Sequence, residues 1–166
     1  MLAAAAAGDE IAFRRLIAQH HDDMRRVARY ITRDRTLADD ATQAAWIIAW
    51  KKLGNVHDET HLRSWLVTVA ANEARRLLKK RRRRAEAEAS TDAIHGPSGI
   101  DPSTGIDSMD LRAALDRLDP DDRALLAMRY VAGFDSSELA VATGISPSGV
   151  RNRLERLRNR LRQELA

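Results

Sequence analysis

The stretch from Asp135 to Leu165 constrains the fold more than any other part of the chain, because its helix starts and stops are written out residue by residue. Asp135 with Glu138 three positions later has the pattern of a capping box, so one helix opens there. Gly144 supplies the left-handed conformation that turns the chain, Ser146 caps the next helix, and Pro147 suits its first position, where the missing N–H has no partner to lose. Two helices joined by so short a turn make a helix-turn-helix. Along the second helix Val150, Leu154, Leu157, Leu161 and Leu165 recur every three or four residues and form an apolar stripe. Arg151, Arg153, Arg156, Arg158, Arg160 and Arg162 fill the rest, opposed only by Glu155 and Glu164. A solvated helix in a bundle would balance its surface charges. Six arginines against two glutamates instead leave a cationic face suited to phosphate in a DNA groove.

Helical periodicity also dominates upstream, and strand signals are missing. Phe13, Leu16, Ile17, Met24, Val27, Ala28 and Ile31 mark a first long helix. Thr36 with Asp39 opens a second, which runs through Ala41, Ala45, Trp46, Ile48 and Trp50 and stops at Gly54. After a loop from Gly54 to Glu59, a third helix starts near Thr60, buries Leu62, Leu66, Val69 and Leu77, and ends in the cationic run Lys79 to Arg84. Residues 85–110 carry six acids and no Lys or Arg, with a turn-rich passage from His95 to Pro102. That composition predicts a flexible acidic linker. A second helical unit follows from about Ser108, with Leu111, Leu115 and Leu118 on one face, a break at Asp119 and Pro120, and Leu125, Leu126, Met128 and Tyr130 before Gly133. The expected fold is all-α: two small helical domains joined by a flexible acidic linker, the C-terminal one containing the helix-turn-helix. Their expected bounds are 9–84, 85–107 and 108–166.

The formal net charge of +4 hides three blocks. Residues 1–84 hold 18 Lys/Arg against 10 Asp/Glu, residues 85–144 hold 4 against 12, and residues 145–166 hold 6 against 2. Two basic blocks around an acidic one point to two separate nucleic-acid contacts, since nonspecific affinity for DNA comes mainly from replacing counterions with Lys and Arg. Six successive like charges at Lys79 to Arg84 repel one another unless something neutralises them, which favours DNA phosphate over a merely solvated helix end. The chain has no cysteine, so it forms neither disulfides nor a thiolate metal site. No apolar run is long enough for a transmembrane helix, and Ala3 to Ala7 is too short for a signal core. A cytoplasmic protein without direct membrane insertion is expected.

Catalytic signatures are missing: no nucleophile–base pair, phosphate-cradling glycine loop or paired catalytic carboxylates is apparent, and no enzyme activity or cofactor is expected. His57 and His61 have the four-residue spacing of a zinc protease, but Asp58 rather than Glu follows the first histidine and no third ligand is evident, so no metal is expected. Trp46, Trp50 and Trp65 lie at helical spacing, where an aromatic is more often core than contact surface. Trp65 is evenly balanced between core and DNA.

Both halves together resemble the extracytoplasmic-function sigma factors, the smallest group of bacterial RNA polymerase initiation factors. The resemblance rests first on Ala38, Asp39, Asp40, Ala41, Thr42 and Gln43 followed by Trp46, and on the run Arg63 to Asn72. In the second half it rests on Leu118 to Pro120, Arg123, Leu125, Leu126, Arg129, Tyr130, Gly133 and Phe134, then Glu138, Leu139, Ala140, Gly144 to Ser146 and Val150 to Leu154. It covers nearly the whole chain.

The resemblance implies a domain for promoter melting and minus-ten recognition, and another for the minus-thirty-five element. It implies that Asp39, Asp40, Gln43 and Trp46 bind the clamp helices of core RNA polymerase. The loop Asn55 to Glu59 matches the one that captures a flipped minus-ten base. Displaced bases need hydrogen bonds, a stacking surface and a basic groove, for which Asn55, His57, His61, Arg63, Trp65, Asn72, Arg75 and Arg76 are candidates. On the second half the minus-thirty-five candidates are Ser146, Ser148, Arg151, Asn152, Arg153, Glu155 and Arg156. The implied partners are core RNA polymerase and promoter DNA, with an anti-sigma factor as a further family partner. The linker, by resemblance, threads the polymerase toward its RNA exit path.

The chain departs from the family pattern in places. Ala44 stands where Glu is common, Arg76 where an acid is common, and Pro147, Ser148 and Gly149 where a small-Gly-Thr pattern is usual. Glu155 replaces an aromatic or small residue, and its carboxylate can accept from cytosine N4 or orient Arg151. Two other classes compete. A stand-alone helix-turn-helix regulator would bind an operator tightly by itself, usually as a dimer. An RNA-binding or polymerase-adaptor protein would bind without opening strands.

Overall fold

A computed structural model describes residues 1–89 and 106–166 of the chain, with side chains of the second segment described from residue 109. It contains eight α-helices among the described residues: α1 (Leu2–Ala6), α2 (Glu10–Thr32), α3 (Arg35–Lys52), α4 (Leu62–Ala89), α5 (Ile106–Arg117), α6 (Pro120–Leu126), α7 (Ser136–Thr143) and α8 (Pro147–Leu165). Two short 3-10 turns, Leu53–Asn55 and Glu59–His61, bridge α3 to α4, and a π-helical turn, Ala127–Val131, extends α6. No strand occurs among the described residues.

Most helix starts are fixed by local side-chain chemistry. The Asp9 carboxylate accepts from the Ile11 and Ala12 amides, Asp119 from those of Asp121 and Asp122, and Ser146 from that of Gly149. At α7 both arms of the capping box form: Asp135 accepts from Glu138 N–H while the Glu138 carboxylate accepts from Asp135 N–H at 2.9 Å. Gly144 ends that helix at φ 74°, the left-handed turn that the helix-turn-helix needs. The second long helix differs from expectation. Asp34, not Thr36, is its cap, accepting from Leu37 N–H at 2.9 Å, and Thr36 and Asp39 both lie inside the helix.

α4 is the longest helix, 28 residues, and it continues past the cationic run to Ala89. Residues 85–89, expected to begin the linker, are therefore helical. Their alternation of Ala and Glu is among the best helix-forming compositions, and five residues without Gly or Pro give no reason to stop. Of the rest of the expected linker, 85–107, residues 90–105 lie outside the described residues, and Ile106 and Asp107 already belong to α5.

α2, α3 and α4 pack on one another as the first unit. Its lower core gathers Leu16, Met24, Trp46, Leu53, Leu62 and Leu66, roofed by Leu2 and Ala5 of α1. The upper core does not stop at the linker. Val27, Ile31, Val67, Ala71 and Leu78 of the first unit form one continuous cluster with Leu115, Leu118, Leu125, Phe134, Leu139, Val150 and Leu154 of the second. α6 packs against both α2 and α4, and the π-turn packs against α2. The two helical units expected from the sequence thus share one hydrophobic core.

Polar groups reinforce that junction. Arg123, 3% exposed, donates from Nη1 to the Ile31 carbonyl at 2.8 Å and from Nη2 to the Asp116 carbonyl at 3.2 Å. Its burial, with Arg82 nearby, lowers the guanidinium pKa to about 10, which leaves it charged at neutral pH. Arg33 pairs with Asp116 at 2.7 Å across the junction, while within the first unit Arg81 of α4 ties to Asp34 at 3.0 Å.

Candidate nucleic-acid interface

The candidate residues fall on three surfaces. The first is the flank of α3. Asp39 meets Arg25 of α2, with Nε to Oδ1 at 2.6 Å, and that hydrogen bond holds the Asp39 carboxyl below its usual range. Asp40 and Gln43 are exposed. Trp46 is not: at 8% exposure it belongs to the lower core, donating its indole N–H to His21 Nδ1 at 3.2 Å and meeting Phe13 edge-on at 5.6 Å. The exposed aromatic of this helix is Trp50, one turn on, with its ring 4.7 Å from Phe13. Ile17, His21, Arg25, Asp39, Gln43 and Trp46 together line a shallow cleft of about 430 Å³. Its apolar floor and charged lip are suited to a partner helix that brings both an apolar and a basic side chain.

The second surface is the face of α4 with the turns before it. Asn55 and His57 are exposed, and Asp58 folds its segment by accepting from Thr60 N–H at 2.9 Å and facing His61 Nδ1 at 2.9 Å. Hydrogen bonds from Thr60, then from His61, lower the Asp58 pKa. Trp65 is half-buried against the lower core, so it packs there and stays partly open to solvent. Asn72 is exposed, and Arg76 forks onto Glu73 at 3.0 and 2.8 Å. The structure separates the remaining two candidates from this group. Arg63 donates to Asp23 at 2.8 Å and, from both terminal nitrogens, to the Ala132 carbonyl at 3.1 Å. Arg75 faces Asp121 at 3.2 Å, as does Lys79 at 2.8 Å. Arg82 donates to the carbonyls of Asp116 and Leu118. Within the second unit's loops and helices, then, lie the partners of several α4 cations.

The third surface is α8. Ser146 is held as the cap, with Ser148 Oγ 3.2 Å away. Ser148, Arg151, Asn152, Glu155 and Arg156 are all exposed and project from the side opposite Val150, Leu154 and Leu157. Arg153 is drawn away from them. Its Nε donates to Asp122 of α6 at 2.9 Å, with Nη2 at 2.7 Å from the same oxygen, and the Asp122 side chain is only 13% exposed. Burial raises the Asp122 pKa, against the lowering effect of Arg153. Arg153 thus fastens α8 to α6 instead of joining the exposed set.

Sequence reasoning missed the acids that matter here. Asp116, Asp121 and Asp122 were read as part of an acidic block, yet each faces a specific arginine or lysine. The available signal was position: Asp121 and Asp122 occupy the first turn after a helix cap, where their direction is fixed. No group of His, Asp and Glu able to hold a metal occurs among the described residues, and no described helix is long and apolar enough to cross a membrane.

Comparison with known proteins gives two family matches in order along the chain: Sigma-70 region 2 over residues 16–84 and Sigma-70, region 4 over residues 108–161. RNA polymerase sigma factor CarQ of Myxococcus xanthus is 31% identical over 95% of this chain and 91% of its own length. ECF RNA polymerase sigma factor SigM of Mycobacterium tuberculosis is 30% identical over 97% of this chain and 81% of its own. A probable RNA polymerase sigma factor, RfaY of Xanthomonas campestris, is 33% identical over 97% of this chain, which spans only 42% of that relative's length. Among solved structures, CnrH in complex with the cytosolic domain of CnrY matches with a TM-score of 0.72 at 26% identity, covering 99% of this chain and 94% of that one. The sigma factor RpoE of Bartonella quintana, in complex with the anti-sigma factor NepR, shares the fold with a TM-score of 0.72 at 23% identity, over 93% and 96% of the two chains.

Proposed function

The chain belongs to the extracytoplasmic-function sigma factors of bacterial RNA polymerase, and we propose that its two halves divide promoter recognition as follows. The exposed row Ser148, Arg151, Asn152, Glu155 and Arg156 on α8 reads the minus-thirty-five element in the major groove, and α4 with the turns before it holds the opened minus-ten strand. The single observation that carries this reading is the order of the two family matches on one chain, each falling on a cationic helix with an exposed polar row. A stand-alone operator-binding regulator needs only the second of these.

In this reading α8 positions and specifies. Arg151 and Arg156 supply guanidinium forks for guanine or phosphate, Asn152 an amide for adenine, and Glu155 an acceptor for cytosine N4. Ser146 and Ser148 sit at the helix N-terminus, where hydroxyls and free amides hold phosphate. On the other half, Asn55, His57 and His61 border the turn into α4 and meet a displaced base, the half-buried Trp65 offers a ring for stacking, and Asn72 and Arg76 follow the strand along α4. Asp39, Asp40 and Gln43, with the cleft beside Trp46, form the surface for core polymerase. The same surfaces are open to an anti-sigma factor, and CnrH, similar to this chain, is seen in complex with the cytosolic domain of CnrY. A factor that acts on promoters of the nucleoid works in the cytoplasm, which is the compartment this reading gives the chain.

The test is transcription by sigma-free core polymerase on a pooled promoter library at fixed salt, with and without the purified chain. Chain-dependent transcripts sharing a two-element motif are expected. Transcripts absent from the pool, together with tight operator binding by the chain alone, would replace this reading with the regulator.

A further inference from the structure

We propose that Arg25 is a specificity-determining residue of the core-polymerase surface: on the lip of the cleft between α2 and α3 its guanidinium offsets the acidity of that lip and limits affinity for a basic partner helix. The proposal rests on the reading given above, that this cleft with Asp39, Asp40 and Gln43 meets core polymerase. Its basis is a pairing that crosses the mouth of the cleft. Arg25 of α2 donates from Nε to Oδ1 of Asp39 on α3 at 2.6 Å and from Nη2 to Oδ2 at 3.4 Å, and both residues line the cleft. Asp39 is the one acid among the lining residues, and its charge is already answered from inside the chain.

Such a pair can act in two opposite ways. As a brace it would orient Asp39 for a partner, so that losing Arg25 weakens binding. As a counter-charge it would repel the partner's basic side chain, so that losing Arg25 strengthens binding. The side chains are 39% and 51% exposed, and an ion pair so open to water holds little in place. The cleft keeps its shape by other means: Asp39 sits within α3, and Trp46 on the floor donates to His21 Nδ1 at 3.2 Å and packs edge-on against Phe13. Removing Arg25 therefore changes the charge of the lip by one unit where a partner's cation arrives, and leaves the floor as it was. The neighbours do not cancel that step. Asp22 and Arg29 act on the pair from α2, Asp40 follows Asp39 on α3, and His21, accepting at Nδ1, adds no charge in that state. Three acids then face one arginine instead of two. A like charge set against a partner's charge lowers affinity for it and discriminates between partners.

The test is titration of the full-length chain against sigma-free core polymerase at about 0.1 M and about 1 M salt, over which the Debye length falls from about 10 Å to about 3 Å. At the lower salt Arg25→Gln is expected to bind about three- to tenfold more tightly than the unsubstituted chain, with most of that gain lost at the higher salt. Arg25→Met, which keeps the apolar stem and drops the charge, should gain as much. Arg25→Lys, which keeps the charge, should stay within about twofold of the unsubstituted chain at both salts.

Weaker or unchanged binding by Arg25→Gln and Arg25→Met at the lower salt would overturn the proposal. A gain of equal size at both salts would overturn it too, since that follows from a change of shape and not of charge. Failure of the surface reading is distinguishable. Asp40→Ala combined with Gln43→Ala would then bind core polymerase as the unsubstituted chain does, and the proposal would fall with that reading. Loss of binding by that double variant, with no gain at Arg25, would remove this proposal alone.

Discussion

At the level of single residues, the arginines of α8 show how far a helical pattern carries and where it stops. Each residue advances about 100° around a helix. Arg153 follows Val150 by three positions and precedes Leu157 by four, so it lies at the edge of the apolar stripe, beside α6. Arg151, Asn152 and Glu155 lie across from that stripe. Periodicity separated arginine from leucine correctly, but it could not tell the arginine that meets Asp122 from those that meet solvent, because Asp122 is distant in sequence. Arg151→Ala or Arg156→Ala is expected to weaken minus-thirty-five-dependent initiation by about 1–3 kcal/mol and to change base preference at one position of the element. Arg153→Ala is expected to leave preference intact and to lower stability in urea by about 1–2 kcal/mol, since the half-buried Asp122 carboxylate loses its charged donor. A shift in promoter preference with Arg153→Ala would return it to the reading set. His20 gives a second residue-scale expectation. Burial lowers its pKa from the ordinary 6.5, with Asp23 raising it and Arg63 lowering it further. The unfolded chain therefore binds a proton more readily between that lowered value and 6.5. Stability contributed by His20 is complete above 6.5 and falls as pH drops through that value. Urea midpoints across this range should flatten in His20→Gln, and an unchanged slope would assign the acid sensitivity elsewhere.

At the level of elements, caps and stops were the most legible features. Asp135 with Glu138, Gly144 and Ser146 with Pro147 all act as their chemistry requires, because each works through bonds to residues two to four positions away. The ends of α3 and α4 were harder. Asp34 and Thr36 both qualify as caps by residue type, and Thr32 decides between them by bonding the Asp34 backbone and leaving the Asp34 side chain to meet Leu37. For α4 the acidic composition after Arg84 resembled a linker, although composition does not end a helix that has no Gly or Pro. Gly144 has φ 74° and no heavy atom within 4 Å of a built Cβ, so a side chain there meets only backbone strain. Gly144→Ala should lower stability by about 1–2 kcal/mol in urea unfolding, and Gly144→Asn by less, because Asn tolerates the left-handed region. Equal losses would mean that the turn relaxes rather than holding this conformation.

For the whole molecule, the charge blocks were legible and their mutual use was not. The sequence showed a basic half, an acidic block and a basic tail, and both basic regions were assigned to DNA. Which acids reach which bases depends on how the second unit docks, and that follows from Leu118, Leu125 and Phe134 sharing a core with Ile31, Val67 and Leu78, a pairing across the linker that no local pattern encodes. Two independent domains would unfold separately, each by its own stability. A shared core instead couples them, so a cavity in one half must be felt in the other. The chain supplies a convenient reporter, since Trp46, Trp50 and Trp65 all lie in the first half. Leu125, 1% exposed on α6, faces the junction where that helix packs on α2 and α4. Leu125→Ala should therefore remove about 2–5 kcal/mol from the unfolding followed by tryptophan fluorescence, even though the substitution lies in the half that has no tryptophan. Circular dichroism, which sees every helix, should give the same midpoint as fluorescence in the unsubstituted chain. If fluorescence midpoints stay fixed while the dichroism transition splits, the halves are only tethered. The carboxylate of Asp116 would then meet Arg33, and that of Asp121 the α4 cations Arg75 and Lys79, by proximity alone, at an effective concentration set by the linker rather than by a common core.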